Sequence, residues 1–169
     1  MLAEYAGRSV SALTARPDIS SVIFTGTGDV FAAGADIREL AQLTEEGAEE
    51  FAARGQRLLR KIADARQLTV AAVNGYCMGG GLDLALSCDV RCAAPAAVFA
   101  HPGARLGIIT GWGGTQRLPR LIGTARALEM FCTARRVEAR EAYDIGLVSQ
   151  IGEPVLDCAI EIAVRRLTS

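Results

Sequence analysis

The sequence predicts an α/β fold formed by a single domain. Two short apolar runs, "SSVIFTG" and "LTVAAVNG", are typical of buried strands. An amphipathic helical pattern separates them, and strand and helix patterns continue to alternate along the rest of the chain. The chain has 169 residues, half of them apolar, so it is long enough to bury one core.

The first half of the chain predicts two helices around the first strand. "LAEYAGRSVSALTARPDI" has helical spacing and ends at Pro17, which cannot continue a helix. From Thr44 to about Ala65, an acidic first turn and a basic last turn match the helix dipole. The apolar residues of this second helix fall on one face: Phe51, Leu58, Leu59 and Ile62.

The second half continues the alternation of strands and helices. "GGGLDLALSCD" turns at glycine and becomes an apolar helix, and "VRCAA" and "AVFAH" predict short strands joined through Pro95. After a glycine-rich turn at residues 111–114, "TQRLPRLIG", "TARALEMFCT" and "EAREAYDIG" predict short helices, "LVSQI" a strand and "VLDCAIEIAVRRL" a final helix. No repeat or linker divides the sequence, so residues 1–169 are predicted to form one domain.

Composition excludes several classes of function. Eighteen basic and nineteen acidic side chains leave no charge excess to hold a nucleic acid. No apolar stretch has the roughly 18–20 residues of a membrane helix, and the first ten residues lack a secretory signal, so we expect a cytoplasmic protein with no membrane partner. Five cysteines without Cys-x-x-Cys spacing, beside a single histidine, predict reduced, mostly buried thiols and no metal site.

Two glycine-rich loops share one design. "GDVFAAGADI" (residues 28–37) and "VNGYCMGGGLDLALSCDV" (residues 73–90) each follow a strand, pass through small residues and open a helix. The free N–H groups at a helix start can bind an oxygen, and two of them converging on one carbonyl would form an oxyanion hole. The alternative is that the glycines only make tight turns. Neither loop matches the dinucleotide or P-loop pattern.

Asp83 lies in the first turn of the helix that follows the second loop. An acid there can act in catalysis, or it can simply stabilise the helix dipole by a few tenths of a kcal/mol. Its position does not decide between these two roles.

Three segments together resemble one family. "FAAGADIREL", "AAVNGYCMGGGLDLALSCDV" and "LGIITGWGGTQRLPRLIG", in this order and spacing, resemble the crotonase superfamily of enoyl-CoA hydratases and isomerases. The resemblance implies a spiral of ββα units that binds acyl-CoA thioesters and assembles as trimers or pairs of trimers. It implies no cofactor other than the coenzyme A of the substrate, and a role in fatty acid metabolism.

The resemblance also implies site residues. The thioester oxygen would lie between the backbone N–H groups of Ala35 and Gly80. The segment Ala35, Asp36, Ile37 and Arg38 matches the part that contacts the adenine end of coenzyme A. Arg38 is a candidate for a phosphate contact, although a solvated arginine on a helix face has the same pattern.

The sequence departs from the family where the chemistry is done. Hydratases of this family use two glutamates, and the first aligns with Asp83, whose side chain is one methylene shorter. The shorter side chain draws the carboxylate back by about the length of one methylene group, and a displacement of that size can cost about 10²-fold in rate. The second aligns with Gly103, and losing a general acid or base typically costs about 10²- to 10⁴-fold. Hydration by two glutamates is therefore not expected. The residues favour a reaction that needs one acid-base group, such as double-bond migration, or hydration with a different second group.

Two further side chains are candidates at this point. His101, pushed towards extended geometry by the following proline, can project towards the space at Gly103 and transfer protons there. The alternative is a polar residue at a strand end, bonded to a neighbouring backbone group. Trp112, among glycines, can line an acyl pocket or belong to the core.

Relative to the family, the chain lacks the opening strands and the closing helices, so we expect an incomplete domain. Two hypotheses follow. The first is an acyl-CoA thioester enzyme that acts on an enoyl-CoA, with Ala35 and Gly80 as the oxyanion hole and Asp83 as the remaining acid. The second is a truncated or degenerate module that binds acyl-CoA without turnover.

Overall fold

The computed structural model describes residues 10–165, and the predicted α/β architecture is confirmed. Residues 10–14 are helical (α1), and residues 2–9 of the predicted opening helix lie outside the described range. No helix within the described residues is long and apolar enough to cross a membrane, and none of their side chains cluster as a metal-binding group.

Two four-stranded sheets form the framework. The first contains β1 (Ser21–Thr25), β3 (Leu68–Val73), β5 (Val90–Ala93) and β8 (Gln150–Ile151), in that order and all parallel. The second contains β2 (Val30–Ala32), β4 (Tyr76–Met78), β6 (Val98–Ala100) and β7 (Val137–Glu138), parallel except for β7. In the first sheet, β1, β3 and β5 are each followed along the chain by a short strand of the second sheet. The predicted ββα spiral is therefore confirmed.

The helices follow the strand pairs. They are α2 (Ile37–Leu40), α3 (Glu45–Ala63), α4 (Gly80–Ser87), α5 (Gly114–Ile122), α6 (Thr124–Thr133), α7 (Ala139–Asp144) and α8 (Val155–Arg165), with a 3₁₀ helix at Pro102–Leu106. The Thr44 side chain caps α3 by accepting a hydrogen bond from the Gly47 N–H. Leu58, Leu59 and Ile62 are buried as predicted, whereas Phe51 is only half-buried.

The core lies between the sheets and the helices. β3 is almost fully buried because neighbouring strands flank it and helices cover its faces. α4 packs against α3 and α5, which fixes the direction of its first turn. All five cysteines are free thiols, and three of them are buried: Cys77, Cys88 and Cys92.

Three strands of the second sheet are the main feature that sequence reasoning missed, whereas β6 is the strand predicted at "AVFAH". β2, β4 and β7 have only two or three residues, too few to show alternation, and they exist through pairing with distant neighbours. "LVSQI" forms a strand only at Gln150–Ile151, since Leu147 and Val148 are buried in the preceding turn. These short strands carry the loops of the candidate site.

Candidate active site

The two glycine loops meet through their backbones. β2 and β4 are parallel neighbours, so the loops that follow them leave the sheet at the same edge. Gly34 has a positive φ of 96°, and a Cβ atom there would lie 2.9 Å from the Met78 carbonyl oxygen and 3.0 Å from the Gly80 nitrogen. Only glycine allows this approach.

Where the two loops meet, Ala35 and Gly80 line the same cavity. Gly80 is the first residue of α4, and its preceding residue supplies no side-chain cap. Neither the Ala35 N–H nor the Gly80 N–H is among the hydrogen-bonded groups of residues 10–165. Both residues line a cavity of about 790 Å³, and so do all the other residues singled out in the sequence: Asp36, Ile37, Arg38, Asp83, His101, Gly103 and Trp112.

Asp83 is a buried acid at the cavity wall. Its side chain is inaccessible to solvent, and Oδ2 accepts a hydrogen bond from the Thr110 hydroxyl. Oδ1 lies beside the backbone of Gly114, whose N–H also acts to lower the pKa of Asp83, but it makes no hydrogen bond of normal geometry within the described part of the chain. Burial raises the pKa of Asp83 to about 6, although the Thr110 hydrogen bond and the charge of Arg117 oppose the rise. Asp83 is therefore an anion at neutral pH that is easily protonated.

His101 faces Asp83. Its Nε2 lies 3.6 Å from Asp83 Oδ1, too far for a direct hydrogen bond, and it too has no partner among residues 10–165. The ring packs on Phe131 with centroids 5.0 Å apart. Burial lowers the pKa of His101 to about 4, so the imidazole is neutral at pH 7. For Nε2, the structure supports neither a bond to a backbone group nor orientation towards an empty space at Gly103.

Gly103 lies in the 3₁₀ helix beside His101. Its carbonyl accepts a hydrogen bond from the Ile108 N–H at 3.0 Å, which closes the turn. A Cβ atom at Gly103 would lie 2.5 Å from the Ile108 carbonyl oxygen. The position therefore lacks not only an acidic side chain but also the room for one.

Trp112 forms another part of the cavity wall. Its ring stacks on Phe51 of α3, with centroids 5.2 Å apart. Both rings line the cavity and are half-buried, and Trp112 also packs against the core, so it takes part in both the pocket wall and the edge of the core.

The segment from Asp36 to Arg38 forms an exposed rim of the cavity. The Asp36 side chain accepts a hydrogen bond from the Arg38 N–H and pairs with the guanidinium of Arg38 at 3.0 Å. The side-chain hydrogen bond from Arg38, together with the bond from its backbone N–H, lowers the pKa of Asp36. The Arg38 side chain is 89% exposed, so it is a solvated cation at the rim.

Comparison with known proteins identifies the family of the chain. The family model for enoyl-CoA hydratase/isomerase matches residues 4–167. The chain belongs to this family. Crotonyl-CoA hydratase of Syntrophomonas wolfei is 45% identical over 147 residues, which are 86% of this chain and 56% of that protein. Short-chain-enoyl-CoA hydratase of Clostridium acetobutylicum is 41% identical and is covered to 57%. The chain thus spans about half the length of the curated relatives it matches.

Solved structures of the enoyl-CoA hydratase/isomerase family share the fold. An enoyl-CoA hydratase from Bacillus anthracis superposes with a TM-score of 0.93 at 37% identity, over 99% of this chain and 66% of that one. A monofunctional enoyl-CoA isomerase from M. smegmatis superposes with a TM-score of 0.79 at 34% identity, over 96% of this chain and 70% of that one. Proteins with either name therefore share this framework.

Sequence reasoning missed two site residues, Thr110 and Phe51. Thr110 binds Asp83 from 27 positions away, and nothing in "GIITGWGG" indicates which side chain its hydroxyl meets. Phe51 belongs to the apolar face predicted for α3, and its position two turns before Leu58 gives no sign that it leaves the core. A helical pattern identifies an apolar face but not whether a ligand or a core covers it.

Proposed function

We propose that the chain acts on an enoyl-CoA thioester, adding water across its double bond. The proposal rests above all on Asp83 Oδ1 and His101 Nε2, which face each other within the cavity that Ala35 and Gly80 line and make no hydrogen bond of normal geometry to any of residues 10–165. Buried polar atoms need partners, and two of them 3.6 Å apart can share one small polar molecule.

Ala35 and Gly80 would hold the thioester oxygen. Both are on the cavity and their N–H groups are free of partners within residues 10–165. Two such donors stabilise negative charge as it develops on the oxygen, and removing one donor from an oxyanion hole typically costs about 10²- to 10³-fold in rate. The exposed rim at Asp36, Ile37 and Arg38 would then face the coenzyme A end of the substrate.

A water molecule would be held between Asp83 and His101. It donates one hydrogen to Asp83 Oδ1 and the other to the neutral His101 Nε2, which leaves its lone pairs directed at the substrate. As the water oxygen bonds to C3, Asp83 takes its proton and the double-bond electrons move to the thioester oxygen. Asp83 then returns the proton to C2, so one carboxylate serves both steps.

Asp83→Asn tests this assignment. The variant keeps the size of the side chain and removes the base, so we expect hydration of crotonyl-CoA to fall by about 10²-fold or more. Binding of butyryl-CoA, which cannot be hydrated, should be retained. Asp144→Asn, which changes an exposed acid paired with Arg140, is the matched control and should leave turnover unchanged.

The second candidate function is binding of acyl-CoA without turnover, and the crowded position of Gly103 favours it. This alternative predicts butyryl-CoA binding but no conversion of any enoyl-CoA by the unmodified chain. Incubating the purified chain with crotonyl-CoA and with a 3-enoyl-CoA separates the outcomes. Hydration supports the proposal, migration of the double bond without water uptake replaces it with an isomerase, and no conversion leaves the binding function.

A further inference from the structure

Trp112 spans the distance between two helices, and a glycine makes room for it at each end. On α3, a Cβ atom at Gly55 would lie 2.2 Å from the indole Nε1. On α4, a Cβ atom at Gly80 would lie 2.7 Å from Cζ3 at the opposite edge of the indole. Stacking on Phe51 fixes the plane of the ring. The indole therefore has a defined place against both helices.

Gly55 is otherwise unexpected where it lies. It is a buried residue in the interior of the 19-residue helix α3, and glycine is unfavourable in a helix interior because it is conformationally free. The close contact with Trp112 explains it, because any larger residue would displace the indole. The sequence of α3 is thus adapted to this one side chain.

The indole lies beside the reacting part of the proposed site. It touches Gly80, the proposed donor to the thioester oxygen, and Asp83 follows within the first turn of the same helix. Thr110, two residues before Trp112, binds the Asp83 carboxylate. The coenzyme A end of a bound substrate would leave past the exposed rim at Ile37 and Arg38. The acyl carbons of a thioester held at Gly80 would then extend from Gly80 towards the indole.

We propose that Trp112 is the end wall of the acyl-binding part of the cavity and restricts it to short acyl chains. This proposal rests on the proposed function, because it takes Gly80 as the point where the thioester is held. A chain that left instead across the exposed Ile108 and Ile109 would not reach the indole.

The test measures binding of saturated acyl-CoAs, which cannot react, to the full chain by calorimetry. Butyryl-, octanoyl- and dodecanoyl-CoA are compared for the unmodified chain, Trp112→Ala and Trp112→Phe. Each methylene that finds apolar surroundings raises affinity about fourfold. We therefore expect Trp112→Ala to raise the ratio of octanoyl- to butyryl-CoA affinity by about tenfold or more, with Trp112→Phe between it and the unmodified chain.

Tyr143→Ala is the matched control, because Tyr143 is an exposed aromatic residue of α7 that lies outside the cavity. It should leave the ratio unchanged, and thermal unfolding checks that each variant is folded. An unchanged ratio in either folded Trp112 variant overturns the role of Trp112, and so does tight binding of dodecanoyl-CoA by the unmodified chain. If no acyl-CoA binds to the unmodified chain, the proposed function fails as well, so the two failures are distinguishable.

Discussion

The two walls of the cavity are built by different means. One wall consists of the loops after β2 and β4, which offer backbone N–H groups and meet at Gly34 and Gly80 without intervening side chains. The other wall runs from His101 to Trp112 and offers side chains, with a neutral imidazole and the Thr110 hydroxyl directed at Asp83. The first wall depends on the absence of a Cβ atom. The second depends on buried polar side chains, and burial shifts the pKa values of Asp83 and His101 towards their uncharged forms.

Gly34→Ala should break the backbone wall, with the largest effect. The new Cβ atom would crowd the Met78 carbonyl and the Gly80 nitrogen, and the positive φ would strain the backbone. Displacing the two N–H groups should lower turnover of crotonyl-CoA by about 10²- to 10³-fold, as for the loss of an oxyanion donor. Steady-state kinetics on the folded variant measures this.

Gly28→Ala separates crowding from backbone strain. Gly28 also has a positive φ, 62°, but a Cβ atom there would meet nothing within 4 Å. It should lose a similar amount of stability through strain and keep its turnover. Equal losses of turnover in both variants would show that strain, and not the contact between the loops, matters.

The buried side chains of Asp83 and His101 should make the unfolding free energy depend on pH. Burial raises the pKa of Asp83 to about 6, so the folded state binds a proton at a higher pH than the unfolded state does. The contribution of Asp83 to the unfolding free energy therefore rises as pH falls from 6 to about 4. The lowered pKa of His101, about 4 against an ordinary 6.5, has the opposite effect between pH 6.5 and 4. The two effects oppose each other in the unmodified chain.

Single variants remove one of the two effects. Relative to the unmodified chain, Asp83→Asn should lose about 2 kcal/mol of unfolding free energy between pH 7 and 4, and His101→Gln should gain about 3 kcal/mol. Urea unfolding at several pH values measures both, and the difference from the unmodified chain cancels the other carboxylates. Parallel curves for the two variants would show that neither group titrates as burial predicts.

The sequence predicts the backbone wall better than the side-chain wall. Glycines that follow a strand and open a helix are visible as a local pattern, so the loops at Ala35 and Gly80 could be named in advance. The contacts of Asp83 with Thr110 and His101 join positions 27 and 18 residues apart, and no local pattern carries them. The short strands β2 and β4, which carry the two glycine loops, are absent from the predicted elements for the same reason.

Gly103→Ala should sharpen the contrast from within the side-chain wall. The added Cβ atom would lie 2.5 Å from the Ile108 carbonyl oxygen, so the 3₁₀ turn must open to accept it. We expect a loss of about 1–2 kcal/mol of unfolding free energy. Gly111→Ala is the control, because its Cβ atom would lie 3.6 Å from the Ala52 Cβ, an ordinary contact. An unaffected Gly103→Ala would mean that this turn yields easily and that a larger acid could be accommodated there.

Thr110→Val should have the smallest effect and bears most directly on how the side-chain wall works. The variant keeps the shape of the residue but removes the hydrogen bond that holds the pKa of Asp83 down, so that pKa rises further above 6. The acid limb of the rate profile should move to higher pH and lower turnover at pH 7 by about tenfold, with recovery in alkaline buffer. Thr25→Val, which removes a hydroxyl bonded to the Ala72 carbonyl, is the control. A loss that is equal at every pH would assign Thr110 to holding the Asp83 carboxylate in place, because only a change in its protonation depends on pH.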